Sequence, residues 1–384
     1  MHVTLDTLSL RDFRNIERAD LSLPPEGIAI VGDNGQGKTN LLEAIAYLEL
    51  FRSMRGARDR DLIRFGAPAF SVSAAIGGAA TVACVVGVDA SGRKKVSLDG
   101  VEVSRLTDAL GALPSVCFSP ADTTLVAGAP AERRRYLDIT LALTSARYLG
   151  ALRHYRAALA QRNAALRHAI RPHARGNAVA SWEPALAEYG AVLVEERRSW
   201  VEEWAAEFAR LGAAIGEHSP MGLAYDSSLA AASDVRTALA EALERGRAHD
   251  VKRGLTQVGP HRDDLVISLG KHDLRSVGSA GQQRTAAIAL RLLEAATFRE
   301  LRGSQPLLLL DDPFAELDRN RASRVLLLLE EATAKWLGQT VLCVPREEEI
   351  PPVFTRLERW KVCAGRFEKS GSASVVFENM GASA

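Results

Sequence analysis

The sequence predicts an α/β fold assembled from both ends of the chain, with a helical segment inserted between them. Three observations carry that reading. Short β-rich runs alternate with single helices over residues 1–120 and again after about 255. Four consecutive leucines, Leu307 to Leu310, have the character of a strand buried on both faces, as in a parallel sheet. From about residue 130, between these parts, apolar residues recur at helical spacing. The expected boundaries are 1–125 for the N-terminal half of the α/β domain, 126–254 for the insertion and 255–384 for the C-terminal half.

Composition bounds the function. The chain has 384 residues, 47% apolar and 25% charged, an ordinary soluble balance with enough material for two or three domains. Lys plus Arg number 48 against 47 acids, a net charge of +1, which excludes a polybasic DNA coat but not local basic patches. No apolar run approaches the ~20 residues needed to cross a bilayer. Asp6, Arg11 and Asp12 interrupt the N-terminus, unlike a signal peptide, so a cytoplasmic location without membrane contact is expected. Cys84, Cys117, Cys343 and Cys363 form no CxxC pair and read as reduced, mostly buried residues. Neither zinc nor a disulfide is expected.

In order along the chain, residues 2–10 place Val3 and Leu5 on one phase and Leu8 and Leu10 on the other, as a strand pair or bulged strand would. Residues 27–31 form a short β run stopped by Gly32, and 40–50 have helical spacing. Residues 72–88 and 96–103, separated by Ala90-Ser91-Gly92-Arg93, resemble hairpin strands. Tyr148, Leu152, Tyr155, Leu159 and Leu166 mark one amphipathic helix. Trp182, Leu186, Tyr189, Leu193, Trp200, Trp204, Phe208, Leu211 and Ile215 mark a longer one. Arg171-Pro172-His173 with Gly176-Asn177 supplies the turn, so an antiparallel helical pair is expected. The tryptophan stripe reads as packing between these helices rather than a base-stacking platform, since its spacing is what an interface needs. Residues 265–269 are an expected strand, 281–301 a helix, 319–335 a helix and 341–344 a buried strand.

Gly32-Asp33-Asn34-Gly35-Gln36-Gly37-Lys38-Thr39 matches G-x-x-x-x-G-K-[ST] between a strand and the helix opened by Asn40. The glycines let successive N–H groups converge on one anion, and the helix N-terminus adds its partial positive charge. Lys38 would neutralise the β- and γ-phosphates of ATP, and the Thr39 hydroxyl would ligate Mg2+. The bland alternative is a glycine-rich turn with a chance lysine; the flanking strand and helix favour the nucleotide. Asp311 and Asp312 follow the leucine strand, at the end where α/β sheets bind ligands. Asp311 would hold Mg2+ through water, and Asp312 would orient or deprotonate the attacking water. Ser279-Ala280-Gly281-Gln282, 27 residues before that strand, begins a helix; alone it would be a plain N-cap.

Together these motifs resemble the ABC-type set: P-loop, signature helix, acidic strand and a D-loop at Glu316-Leu317-Asp318. The implied architecture is a P-loop ATPase head with an inserted helical lid or arm. Within that class the chain resembles the RecF family of bacterial DNA replication and repair proteins. The stretches that carry the resemblance run from end to end: Leu8–Asn15, Gly32–Ile45, Phe118–Asp122, Arg133-Arg134-Arg135-Tyr136-Leu137-Asp138, Gln161-Arg162-Asn163, Gly259–Leu265 and Asp311–Asp318.

The resemblance implies a weak, DNA-stimulated ATPase acting as a switch in gap repair, replication and the SOS response. Two heads would sandwich two ATP molecules, with Ser279, Gly281 and Gln282 of one facing the P-loop and carboxylates of the other, and Asp318 in the D-loop. Partners implied are duplex DNA beside a single-stranded gap, RecO and RecR, and loading of the recombinase RecA. Two departures from the ABC pattern stand out. Asp312 replaces the usual Glu, a feature shared with RecF-like proteins that would slow hydrolysis. Residues 341–345 offer no His, Ser or Thr as a γ-phosphate sensor. His261 is open to two readings, a catalytic base or a brace for its loop.

For DNA contact, residues 131–175 contain ten Arg and two acids, whereas 176–250 contain six Arg and thirteen acids. A second cluster, Arg52, Arg55, Arg58, Arg60 and Arg64, follows the P-loop helix. Either could supply the basic stripe that sequence-independent binding requires. Either could instead pair with neighbouring acids. Arg52, Arg55 and Arg58 are the candidates taken for DNA. The alternative function is the nucleotide-binding subunit of an ABC transporter, which calls for a much shorter helical segment: 240 residues separate Lys38 from Gly278. A small-molecule kinase leaves the signature and D-loop without a role, and an SMC-like chromosome protein needs a far longer insertion.

Overall fold

A computed structural model describes residues 3–78, 80–169, 177–315, 317–335 and 338–370. The turn expected at residues 171–176 lies outside them, as does Glu316. The chain packs as two compact units. The first takes the described residues up to Ser119, then Gln305–Pro313 and those from 338 onward; the second takes Pro120–Ser304 and the described residues from Phe314 to 335. Residues 255–304, expected to complete the head, therefore group with the helical segment. The helix Ala280–Arg302 is the reason, because its apolar face is buried there. Trp200 Nε1 donates to Thr297 Oγ1 at 3.0 Å, and Tyr136 Oη donates to the Leu290 carbonyl at 2.6 Å.

The first unit contains two six-stranded sheets. One is antiparallel, in the order Ile16–Ser22, Thr4–Phe13, Ala69–Gly77, Val82–Asp89, Lys94–Leu98, Val101–Glu102. The phase change read at residues 5–8 is a β-bulge: the pairing of Thr4–Phe13 with Ala69–Gly77 shifts register between Leu5 and Thr7. Residues 72–88, expected as one strand, are two. Their inward positions Val72, Ala74, Ile76 and then Cys84, Val86, Val88 share one parity, so the two strands keep the same phase and read as one.

The other sheet has the order Arg366–Lys369, Glu358–Cys363, Gly27–Val31, Thr340–Val344, Leu307–Asp311, Ser115–Phe118, parallel throughout except for the edge strand Arg366–Lys369. Every residue of Leu307–Asp311 and Thr340–Val344 is buried, as strands covered on both faces must be. The helix Lys38–Leu50 is apolar around most of its circumference, with Leu41, Leu42, Ala44, Ile45 and Leu48 buried. Tyr47 from this helix packs edge-on against Phe13 and Phe70, with ring centroids 6.3 and 5.6 Å apart, and so ties the helix to strands of the antiparallel sheet.

The second unit is mainly helical, built on Pro130–Thr144, Ala146–Ala169, Glu183–Ile215, Val235–Arg253, Ala280–Arg302 and Arg319–Lys335, with a three-stranded sheet formed by Met221–Asp226, Asp264–Leu269 and His272–Asp273. The expected helical pair is antiparallel. Tyr148 bonds Arg197, His154 stacks on Tyr189 and Arg162 pairs with Glu183, so ascending positions on one helix meet descending positions on the other. Trp200, Trp204, Phe208, Leu211 and Ile215 are buried in this packing and do not form a surface platform. Trp182, at the start of the stripe, is exposed.

The arginine-rich stretch also divides. Arg147 and Arg162 pair with Glu195, Glu196, Glu183 and Asp250 of the acidic stretch, while Arg133 pairs with Asp264 and Arg156 with Asp138. Arg162 is fully buried between Glu183 and Asp250, so removing either partner would leave an uncompensated buried charge. The four cysteines are free; Cys84 and Cys343 are buried and Cys363 is exposed. Among the described residues no helix is long and apolar enough to cross a membrane.

Candidate nucleotide-binding site

The parallel sheet of the first unit builds the site. Strand Gly27–Val31 ends at Gly32, whose N–H donates to the Val344 carbonyl at 3.4 Å. A side chain at Gly32 would put its Cβ 2.5 Å from the Val362 carbonyl oxygen, so only glycine lets the chain turn there. At Gly37 φ is +122°, a conformation L side chains rarely adopt, and the helix begins at the next residue. Loop residues 32–37 thus lead straight into a helix N-terminus, with its unpaired N–H groups and partial positive charge.

Lys38 is buried, at 7% exposure, and its Nζ donates to the carbonyls of Gly32 and Asp33, which hold the ammonium over its own loop. Two neighbours brace the loop from outside. Asn15 Nδ2 donates to the Gly35 carbonyl at 3.4 Å, and Asn15 Oδ1 accepts from Asn40 Nδ2 at 2.8 Å. The turn between the last two strands grips Gln36: Ala364 N donates to its Oε1 at 2.6 Å and Gly365 N to its carbonyl at 2.8 Å.

Strand Thr340–Val344 lies between the P-loop strand and the leucine strand, so their carboxyl ends are one strand apart and form a crevice. Across it, Thr39 Oγ1 donates to Asp311 Oδ2 at 2.8 Å. Burial pushes the Asp311 carboxyl above its ordinary range, with Asp312 adding repulsion, while Thr39 and the Lys38 charge pull it back. A cation between hydroxyl and carboxylate would remove that conflict, so the pair fits an Mg2+ site. No group of three or more His, Cys, Asp or Glu that could hold a metal occurs among the described residues. The chain itself would supply only one hydroxyl and one carboxylate, leaving the other positions to phosphate and water. Asp312 follows at φ +45°, and its N–H donates to the Cys343 carbonyl at 3.0 Å.

Ser279, Gly281, Gln282 and Asp318 belong to the second unit. The signature helix starts at Ala280, earlier than its apolar pattern suggested, because Ser279 and Gln282 form a capping box. Ser279 Oγ accepts from Gln282 N at 3.3 Å, and Gln282 Oε1 accepts from Ser279 N at 2.9 Å. Asp318 accepts from Arg321 N at 2.9 Å at the start of the helix Arg319–Lys335. Arg321 is a residue the motifs did not flag. It pairs with Glu217 at 3.0 Å and Asp318 at 3.6 Å, and a Cβ at Gly281 would lie 2.5 Å from its guanidinium. Gly281 therefore makes room for the arginine that joins signature and D-loop.

His261 is held at both ring nitrogens, Nε2 donating to the Thr256 carbonyl at 3.0 Å and Nδ1 accepting from Tyr155 Oη at 2.7 Å. Burial pushes its pKa down to about 4, so the ring is neutral near pH 7. That geometry is a brace.

A family model described as the RecF/RecN/SMC N terminal domain matches residues 4–349. The DNA replication and repair protein RecF of Roseiflexus castenholzii is 39% identical, over 95% of this chain and 99% of that protein. The chain belongs to the RecF family. The RecF of Halalkalibacterium halodurans is 35% identical, over 88% of this chain and 93% of that protein. A solved structure of the recombination mediator protein RecF with ATP, from the RecFOR pathway, superposes with a TM-score of 0.86 at 29% identity, covering 96% of this chain and 97% of that one. The Smc head domain of Pyrococcus furiosus shares the fold alone, at a TM-score of 0.55 and 18% identity.

In this RecF-family chain the three arginines taken for DNA contact are all exposed, but they differ. Arg55 lies 3.7 Å from Glu43, a fully buried carboxylate that Arg14 grips through two bonds of 2.9 and 3.1 Å. Its charge is therefore partly answered within the fold. Arg58 has no ion pair among the described residues. Arg60 and Arg64 pair with Asp61 and Asp12. Phe65 follows Arg64 fully exposed, an aromatic that composition could not distinguish from a core residue.

Proposed function

We propose that this chain is an ATP-dependent DNA-binding protein of DNA replication and recombinational gap repair. ATP joins two copies head to head on DNA, and slow hydrolysis releases them. The Thr39–Asp311 bond of 2.8 Å, beside a P-loop whose lysine is already drawn over the phosphate cradle, is the observation that supports this reading most strongly. The names of the relatives supply the pathway: DNA replication and repair, and a recombination mediator with ATP in RecFOR. RecO and RecR are accordingly the proposed partners in recombinase loading, and a DNA substrate of this kind implies the cytoplasm.

In this account residues 32–40 bind the triphosphate. Backbone N–H groups of the loop and helix N-terminus hold the phosphate oxygens, and Lys38 neutralises them. Thr39 and Asp311 would hold Mg2+, which would supply positive charge to offset that of the phosphates. Asp312 orients the attacking water and accepts its proton; its side chain is one methylene shorter than the usual Glu, which leaves the carboxylate farther from that water and slows the step. Ser279, Gly281 and Gln282 come from the second copy, the helix N-terminus they build meeting the same triphosphate, with Asp318 at the junction. Hydrolysis is then a timer for the joined state.

Velocity sedimentation with ATP and a gapped duplex tests the reading. The wild-type chain is expected to sediment as a dimer with ATP and as a monomer with ADP; monomers under every condition contradict it. DNA contact is read separately. Arg58→Glu, which disturbs no ion pair, is expected to weaken duplex affinity about fivefold to tenfold and to lower the slope of log affinity against log salt by about one. An unchanged slope removes Arg58 from the DNA face.

A further inference from the structure

The second unit contains a cavity of about 300 Å³ that the nucleotide site does not use. Two of the stretches that carry the family resemblance meet at it: Arg134, Arg135 and Asp138 from one, His261 from the other, joined by Arg156 and Arg197. Arg134, Arg156 and Arg197 thus bring three guanidinium groups to one carboxylate.

The local counter-charge is already committed. Asp138 Oδ1 accepts from Arg197 and its Oδ2 from Arg156, both at 2.7 Å. Asp264 is held by Arg133 at 2.7 and 2.8 Å. Arg134 donates to the carbonyl of Asp263 at 2.8 Å and has no ion-pair partner among the described residues. The Asp263 carboxyl is buried, which pushes its pKa up and weakens it as a counter-ion. Burial likewise pushes the Arg134 guanidinium below its ordinary range, with Arg197 adding repulsion. His261 is neutral and Tyr155 donates to it, so neither adds negative charge. An excess of positive charge in a half-buried cavity is costly unless an anion joins it.

We propose that this cavity is a second anion site, taking a compact phosphate group that carries more than one negative charge. The chemistry selects phosphate over a single carboxylate. Planar guanidinium forks match phosphate oxygens in pairs, and several of them need a multiply charged ligand. The volume selects a small group, because about ten waters would fill it, enough for a phosphate or diphosphate and too little for a paired helix. Such a group could arrive as a soluble anion or as the terminal phosphate of a nucleic acid strand.

The test uses the full chain carrying Lys38→Ala, which removes the phosphate-binding lysine of the P-loop, so failure of the ATP reading and failure of this one remain distinguishable. Calorimetric titration with inorganic pyrophosphate is expected to give saturable binding, weakened at least tenfold by adding Arg156→Gln, a change at a side chain more than half exposed. Arg134→Gln should act in the same direction. A single-stranded oligonucleotide with a terminal phosphate, compared with its hydroxyl-ended form, separates the sources. A phosphate-dependent gain that Arg156→Gln abolishes assigns the site to strand ends, and pyrophosphate binding without that gain assigns it to a soluble anion. No saturable pyrophosphate binding, or binding that both arginine variants leave unchanged, overturns the proposal.

Discussion

Lys38→Ala is expected to lower ATP affinity at least a hundredfold, about 3 kcal/mol, with little change in thermal stability. The two halves of that expectation have separate causes. The ammonium sits at 7% exposure directly above the loop glycines, so the charge it offers phosphate is partly shielded from water and worth more than a surface lysine's. Its own bonds, by contrast, are to the carbonyls of Gly32 and Asp33, groups of a loop that can turn to solvent when the lysine is gone. The helix N-terminus remains, so residual binding should survive at high ATP. Equilibrium titration with a fluorescent ATP analogue, paired with a thermal melt, reads both. An affinity within threefold of wild type, with an unchanged melt, would mean that the P-loop is not where ATP binds.

Asp312→Asn is expected to reduce phosphate release a hundredfold or more while leaving ATP affinity within a few fold, and so to hold the chain in its dimeric form. The backbone makes this variant unusually clean. Asp312 lies at φ +45°, where asparagine and aspartate are tolerated and most residues are strained. Its N–H bond to the Cys343 carbonyl is indifferent to the side chain. Asparagine therefore keeps shape and conformation and removes the negative charge that would take a proton, a loss that typically costs two to four orders of magnitude. Asp312→Ala would mix in backbone strain. Asp311→Asn should behave differently, striking binding itself, because Asp311 is the carboxylate joined to Thr39. Single-turnover phosphate release with a parallel sedimentation run distinguishes the two. Equal loss of affinity in both variants would deny Asp312 its separate role.

Why some of this was readable in advance follows from how local each feature is. The P-loop is eight consecutive residues between a strand and a helix, so its chemistry lies in one stretch of sequence. The leucine strand is likewise legible because burial on both faces allows no polar residue until Asp311. What holds these pieces together is distant in sequence. Gln36 is gripped by Ala364 from 328 residues away, through a backbone N–H that no side-chain pattern can announce. The placement of Thr340–Val344 between the two site strands is a matter of strand order, about which periodicity is silent.

Charge reading met the same limit. Composition located the arginine clusters, but only three-dimensional pairing shows that Arg55 answers buried Glu43 and that Arg162 is enclosed by carboxylates, whereas Arg58 has no ion pair among the described residues. The capping box at Ser279 shows a further ambiguity. A residue that would bind phosphate and one that simply starts a helix require the same hydroxyl at the same position, so the sequence cannot separate them.

The claim that each nucleotide is completed by a second copy has its most direct test in a mixing experiment. Lys38→Ala spoils the P-loop and Ser279→Arg spoils the signature, and each variant alone should lack DNA-stimulated ATPase activity. In an equal mixture half of the random pairs are mixed, and each mixed pair has one intact composite site of two, so about a quarter of wild-type turnover should return. Activity that stays at the sum of the two separate variants would contradict the shared site.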